Sequence, residues 1–152
     1  MSNRSTDAFG NTMSKQDLDE ALKARSKEYF YSVLGKDTIL IVIEGDTLVG
    51  FIQFGEVSYD GIIYTTNDIE LKKVFVNTAH HGKGIGKQLI EAMLFHGRLA
   101  TVTNIYLDVY EKNKKAITLY EKYGFRVIDK VPYKANEKII GYDLLMKRST
   151  VD

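Results

Sequence analysis

Residues 70–88 read Glu70-Leu-Lys-Lys-Val-Phe-Val-Asn-Thr-Ala-His-His-Gly-Lys-Gly-Ile-Gly-Lys-Gln88. Val74, Phe75 and Val76 mark a strand, and the glycines and lysines that follow lead into helical periodicity. Such a layout suits phosphate. Gly82, Gly84 and Gly86 lack a β-carbon, so the backbone can take positive φ and bring several N–H groups against one anion. A helix that starts inside the loop adds unpaired N–H donors and the positive end of its dipole.

Two phosphate-loop patterns fail on spacing. The nucleoside-triphosphatase loop needs G-x-x-x-x-G-K followed by Ser or Thr, but Gly82 and Gly86 are one residue too close and Gln88 follows Lys87. The dinucleotide fingerprint G-x-G-x-x-G would need glycine where Lys87 stands. What remains is x-x-G-x-G-K after a strand, with His81 at its head. Taken alone, it could equally be a glycine-rich surface turn.

Outward from this loop, the run Ile69 to Asn77 is β-like, and from about Gly84 to Leu99 the positions Ile85, Leu89, Ala92, Met93 and His96 recur at helical spacing. Ile105, Leu107 and Val109 alternate with Tyr106, Asp108 and Tyr110 as a strand does. Strand, helix and strand form a right-handed crossover with parallel strands. Asn113 to Tyr123 reads as a second helix, ended by Gly124. Phe125 to Val131 and Lys138 to Met146 read as a final strand pair, around the lone Pro132 and a turn at Asn136.

Toward the N-terminus, Thr38 to Ile43 and Thr47 to Val57 form a hairpin about Glu44-Gly45-Asp46. Ser58 to Asn67 reads as a loop or an extended hairpin end. Ser14-Lys-Gln-Asp17 resembles a capping box opening a helix toward about Val33, closed by Gly35. Residues 1–12 read as a flexible tail and 13–152 as one domain. The expected fold is α/β, a mixed sheet of about six strands with helices on both faces.

The chain has 152 residues, 44% of them hydrophobic, enough for one ordinary core. A net charge of +1 gives no long-range field for nucleic acid or a membrane surface. The absence of cysteine removes disulfides, thiolate metal sites and a cysteine nucleophile. The three histidines have no carboxylate at ligand spacing, so no metal is expected. No apolar run reaches the roughly twenty residues of a membrane span, and no secretory leader is legible. The expected location is the cytoplasm.

A second constellation accompanies the glycine loop. Leu107-Asp-Val-Tyr-Glu-Lys-Asn-Lys-Lys-Ala-Ile-Thr-Leu-Tyr-Glu-Lys-Tyr-Gly-Phe125 holds Asn113, Ala116, Leu119, Tyr120, Gly124 and Phe125 at one set of spacings. The two stretches resemble the two signatures of the GNAT superfamily of coenzyme-A-dependent N-acetyltransferases, Q/R-x-x-G-x-G/A and N-x-x-A-x-x-L-Y-x-x-x-G-F. They occur in the family's order and at about its separation, and the resemblance covers residues 38–147. His81 stands where the family has Gln or Arg. Asn113, Ala116, Ile117 and Tyr120 share one helix face, with Asn113 and Tyr120 about 10 Å apart along the axis.

The resemblance implies acetyl-CoA as co-substrate. Its pantetheine would lie along the backbone of Val74, Phe75 and Val76, and its pyrophosphate on His81, Gly82, Lys83, Gly84, Ile85, Gly86 and Lys87, with Asn113 also near the cofactor. Tyr120 matches the family's general acid for the departing thiolate. Glu70, eleven residues before His81, matches the position of a frequent general base, though a strand-end glutamate paired with lysine explains it equally well. The Val76 N–H would serve the oxyanion, and transfer would be direct. Glu56, Asp60 and Asp68, with Tyr59, Tyr64 and Tyr133, flank the implied acceptor side and hint at a cationic amine. The implied acceptor is a small molecule or a peptide amine: a polyamine, an amino acid, a drug or a protein N-terminus.

Relatives usually open with a strand and two helices, yet only 37 residues precede Thr38. That first strand is therefore expected to be missing, leaving Ile39 to Ile43 as a sheet edge or covered by a second subunit in a homodimer. Two rivals stay open: a non-catalytic acyl-CoA-binding or regulatory module, and a nucleotide-binding hydrolase.

Overall fold

The computed structural model describes residues 36–59 and 64–150, and the backbone of 30–32. Seven strands are present among these residues: β1 (Phe30–Ser32), β2 (Thr38–Glu44), β3 (Thr47–Gly55), β4 (Asp68–Val76), β5 (Asn104–Tyr110), β6 (Arg126–Ala135) and β7 (Lys138–Ser149). Helix α1 spans Ile85–Leu94 and α2 spans Lys114–Lys122. The strand order is β1-β2-β3-β4-β5-β7-β6, a mixed sheet in which β4 and β5 are parallel.

The chain divides into two compact units, Met1–Gly55 with Lys73–Leu99, and Glu56–Lys72 with Ala100–Asp152. Strand β4 contributes to both.

In the first unit, the β2–β3 hairpin turns at Gly45, whose φ of +61° is open to glycine at little cost. Every residue from Thr38 to Ile43 and from Leu48 to Gly55 is buried, so these strands read as continuous apolar runs rather than alternating ones. Helix α1 packs on β2 and β3 through Ile85, Leu89, Ile90 and Met93, which fall on one stripe of a 3.6-residue helix. Burying such side chains contributes about 1.5–3 kcal/mol each. Close packing here depends on Gly50. A β-carbon at that position would stand 2.5 Å from the Phe75 carbonyl oxygen and 3.3 Å from side-chain carbons of Ile85 and Leu89.

Two expectations at this end are corrected. Strand β1 pairs antiparallel with β2, Phe30 opposite Val42 and Ser32 opposite Leu40, so β2 is not the sheet edge. The helix expected to run toward Val33 has given way to strand by Phe30, because these backbone groups find their partners on β2. Its earlier part, and the tail, lie outside the described residues.

In the second unit, β4 and β5 align Asp68 with Asn104, Ile69 with Ile105 and Glu70 with Tyr106. Ile105, Leu107 and Val109 are buried on one face of β5, while on the other Tyr106 is buried and only Asp108 and Tyr110, toward the end of the strand, are exposed. Strand β7 pairs antiparallel with both β5 and β6. The final hairpin also departs from expectation, because β6 runs straight through Pro132, which sits opposite Tyr142. Strand β6 is last in the sheet, where a residue without an N–H is tolerated. Its turn is Asn136-Glu137, both at positive φ.

Candidate active site

In the first unit the glycine loop leaves β4 through Asn77, whose Oδ1 accepts from the Ala79 N–H and starts a single 3₁₀ turn, Thr78–His80. The His81 and Lys83 amides donate back to Thr78 and His80. The His81 ring also turns back, its Nε2 2.9 Å from the Val76 carbonyl oxygen. Histidine thus closes the loop onto the strand, which a sequence motif does not specify. His80 keeps a buried Nδ1 without a hydrogen-bond partner.

Gly82 and Gly84 take φ of +80° and +77°, with open space where a β-carbon would be. Gly84 is the N-cap of α1 and offers no side-chain cap, and the Gln88 N–H donating to the Gly84 carbonyl opens the helical pattern. The amides of Ile85, Gly86 and Lys87 therefore form an uncapped first turn at the positive end of the dipole. Lys83 and Lys87 are exposed.

In the second unit, Tyr120 is placed by the end of α2. The Phe125 N–H donates to the Tyr120 carbonyl and the Gly124 N–H to that of Glu121, with Gly124 at φ +89°. These are the two bonds of a Schellman motif, and its usual hydrophobic contact is the edge-on packing of Tyr120 against Phe125, ring centroids 5.9 Å apart. The spacing Tyr-x-x-x-Gly-Phe is thus a helix-stop device that fixes the phenol. Arg148 Nε donates to the Tyr123 carbonyl at 2.7 Å and Arg126 to that of Phe125, favourable at a helix C-terminus. At the other end, Asn113 Oδ1 accepts from the Ala116 N–H as an N-cap.

Glu70 is 5% exposed, and its Oε1 accepts from both the N–H and the hydroxyl of Ser58, at 2.8 and 2.7 Å. No lysine pairing is needed to explain its place. The neighbouring Tyr59 hydroxyl donates to Asp108 Oδ1 at 2.8 Å. Burial, the bond to Asp108 and the charges of Asp108 and Glu70 together push the Tyr59 phenol far above the usual tyrosine range. Burial and then the Asp108 charge also raise Tyr120, so that phenol stays protonated at neutral pH. Asp143 is raised by burial and by the same carboxylate.

Of the acceptor-side residues named from sequence, Tyr59 alone joins this network. Asp68 is used locally, its oxygens accepting from the Thr65 N–H and from Asn104 Nδ2. Glu56, Tyr64 and Tyr133 are exposed, and Asp60 lies outside the described residues. Asp108 was not singled out by sequence. The available signal was an acid interrupting an apolar alternating strand. Among the described residues no group of side chains could hold a metal ion, and no helix is long and apolar enough to cross a membrane.

The sequence model described as "Acetyltransferase (GNAT) family" matches residues 6–125. The spermine/spermidine N(1)-acetyltransferase of Bacillus subtilis is 27% identical over 113 residues, 74% of this chain and 70% of that protein. An L-methionine sulfoximine/L-methionine sulfone acetyltransferase of Salmonella typhimurium is 28% identical over 95 residues, 62% of this chain and 53% of its own length. Among solved structures, the Salmonella typhimurium YncA acetyltransferase with its cofactor acetyl-CoA aligns with TM-score 0.59 and 25% identity, over 74% of this chain and 64% of that one.

Proposed function

From its place in the acetyltransferase (GNAT) family, to which this chain belongs, we propose that it moves an acetyl group from acetyl-CoA directly to a primary amine of a small acceptor. The YncA structure holds acetyl-CoA, and the similar curated proteins are named for polyamine and amino-acid-derived acceptors, which supports both halves of this reading. The backbone of Val74, Phe75 and Val76 takes the pantetheine. The amides from Gly82 to Lys87 and the side chains of Lys83 and Lys87 take the pyrophosphate, with His81 holding the loop in shape and Asn113 capping the helix that carries Tyr120.

The amine must lose a proton, and Glu70 receives it, its Oε1 fixed by Ser58 so that the carboxylate does not rotate away. Nitrogen then bonds to the thioester carbonyl carbon, and negative charge gathers on its oxygen, where the Val76 N–H donates. As the oxyanion collapses and the C–S bond breaks, Tyr120 gives its proton to the leaving sulfur, the second proton of the attacking nitrogen passes to solvent to leave the neutral amide, and the phenolate is reprotonated from solvent.

The observation that carries this reading is Tyr120, locked by the Gly124-Phe125 stop and kept protonated by burial and Asp108. Release of free coenzyme A thiol from acetyl-CoA with a panel of primary amines tests it. Turnover should depend on the amine, and Glu70→Gln and Tyr120→Phe should each lower kcat. Acetyl-CoA binding by calorimetry with no thiol release from any amine would leave a non-catalytic binding module instead.

A further inference from the structure

We propose that the Ser58 hydroxyl carries the proton from the acceptor amine to the Glu70 carboxylate, and is therefore itself a catalytic residue. The inference rests on the acetyl-transfer reading and deepens it. Glu70 has the chemistry of a general base, but it is 5% exposed, and its register partner Tyr106 is buried as well. An ammonium would have to shed its water to meet that carboxylate directly, at a high desolvation cost. Ser58 is exposed, and its hydroxyl lies 2.7 Å from Glu70 Oε1. It stands between the enclosed base and the outside.

The bond runs in the sense that a relay needs. Ser58 Oγ donates to Oε1, and a hydroxyl oxygen keeps lone pairs with which to accept from an amine. As the amine N–H bond breaks, its proton joins Ser58 Oγ while the proton already on Oγ moves to Oε1. The nitrogen keeps the electron pair for attack on the thioester, Ser58 ends as a neutral hydroxyl and Glu70 as a neutral carboxyl. Once the product has left, the reverse shift passes the proton to water and restores the carboxylate.

The local structure holds this hydroxyl in place. The Ser58 N–H donates to the same Oε1 at 2.8 Å, so one residue fixes the oxygen through two donors. On one side of Ser58 the Val57 side chain is buried, and on the other the Tyr59 hydroxyl is tied to Asp108 Oδ1. Little freedom is left to lose at the moment of transfer. The Tyr59 hydroxyl, also near Glu70, has its own proton committed to Asp108.

The test measures thiol release by the full-length protein, with the most rapidly acetylated amine of the panel as the fixed acceptor. Ser58→Ala keeps the backbone bond to Oε1 and removes only the hydroxyl. It should lower kcat about tenfold or more, with the KM for acetyl-CoA within about threefold of wild type. Ser58→Thr restores the hydroxyl and should restore most of kcat. Ser58→Ala combined with Glu70→Gln should be no slower than Glu70→Gln alone, because the two groups act as one unit. In mixtures of light and heavy water, kcat of the wild type should follow the curve of two protons in flight, and that of Ser58→Ala a straight line. A structural role for Ser58 would leave the shape of that dependence unchanged. Wild-type kcat in Ser58→Ala, losses that multiply in the double variant, or a straight line in the wild type each overturns the relay while leaving acetyl transfer standing. No thiol release from any amine is the separate failure of the acetyl-transfer reading.

Discussion

The Tyr59 hydroxyl donates a 2.8 Å hydrogen bond to Asp108 Oδ1, joining residues 49 positions apart in sequence. Asp108 also bears on Tyr120 and Asp143, so one exposed carboxylate influences three protonation equilibria in the second unit. The link ties a surface loop to the electrostatics of the proposed acid.

The pH dependence follows in sign. Tyr120 is raised by burial and by Asp108, so its protonated form persists above pH 10, the ordinary tyrosine value, and the alkaline limb of kcat should lie above that point. Asp108→Asn should move the limb to lower pH. For stability, the raised Tyr59 and Tyr120 contribute fully below about pH 10, and their contribution is lost as pH rises through the folded-state values. Thermal melts should therefore fall off in the alkaline range, and less steeply in Tyr59→Phe.

Tyr120→Phe keeps the edge-on contact with Phe125 and the helix stop, and removes only the hydroxyl. It should lower kcat about 10²-fold, the usual scale for a general acid, with the KM for acetyl-CoA within about threefold of wild type. Steady-state kinetics distinguishes this from a packing role, in which stability would fall and kcat would not.

Gly84→Ala meets open space but must hold φ near +77°, so the strain of a left-handed alanine, roughly 1–2 kcal/mol, acts on the loop itself. The expected outcome is a KM for acetyl-CoA raised several-fold at nearly unchanged kcat. Titration with coenzyme A should show the same weakening.

Gly50→Ala is the steric counterpart, because its β-carbon would collide with the Phe75 carbonyl oxygen, a backbone atom and not the end of a flexible side chain. A loss of about 2 kcal/mol or more is expected from overpacking. Urea unfolding measures it, and a neutral result would mean that β3 and the end of β4 can shift apart.

Glu137 adopts φ +65° in the two-residue β6–β7 turn, after Asn136 at +51°. Glu137→Gly restores the Asn-Gly pairing favoured where both turn residues need positive φ, and should stabilise the protein by about 0.5–1 kcal/mol. The midpoint of chemical unfolding should rise without a change in slope.

The glycine loop was legible because its conformation is local. Positive φ at Gly82 and Gly84 and a helix starting at Ile85 follow from residue types within a few positions. Tyr-x-x-x-Gly-Phe was legible for the same reason, since a Schellman motif closes within six residues. Strand β1 was not, because three residues carry no periodicity and their pairing with β2 is a tertiary fact. The continuation of β6 through Pro132 was missed because proline breaks a strand only where its N–H would be needed, and sheet position decides that.

By itself the chain determined which residue types stand at turns, caps and strand faces, and so the α/β fold, the phosphate-suited loop and the identity of Tyr120 and Glu70 as candidates. Only the tertiary structure decided that Ser58 fixes Glu70, that His81 folds onto Val76, and that Tyr59 meets Asp108. The loop and helix-stop conformations are set by steric limits on each residue and its near neighbours. A hydrogen bond across 49 positions exists only once the sheet has brought β4 and β5 together, and no short spacing encodes that closure.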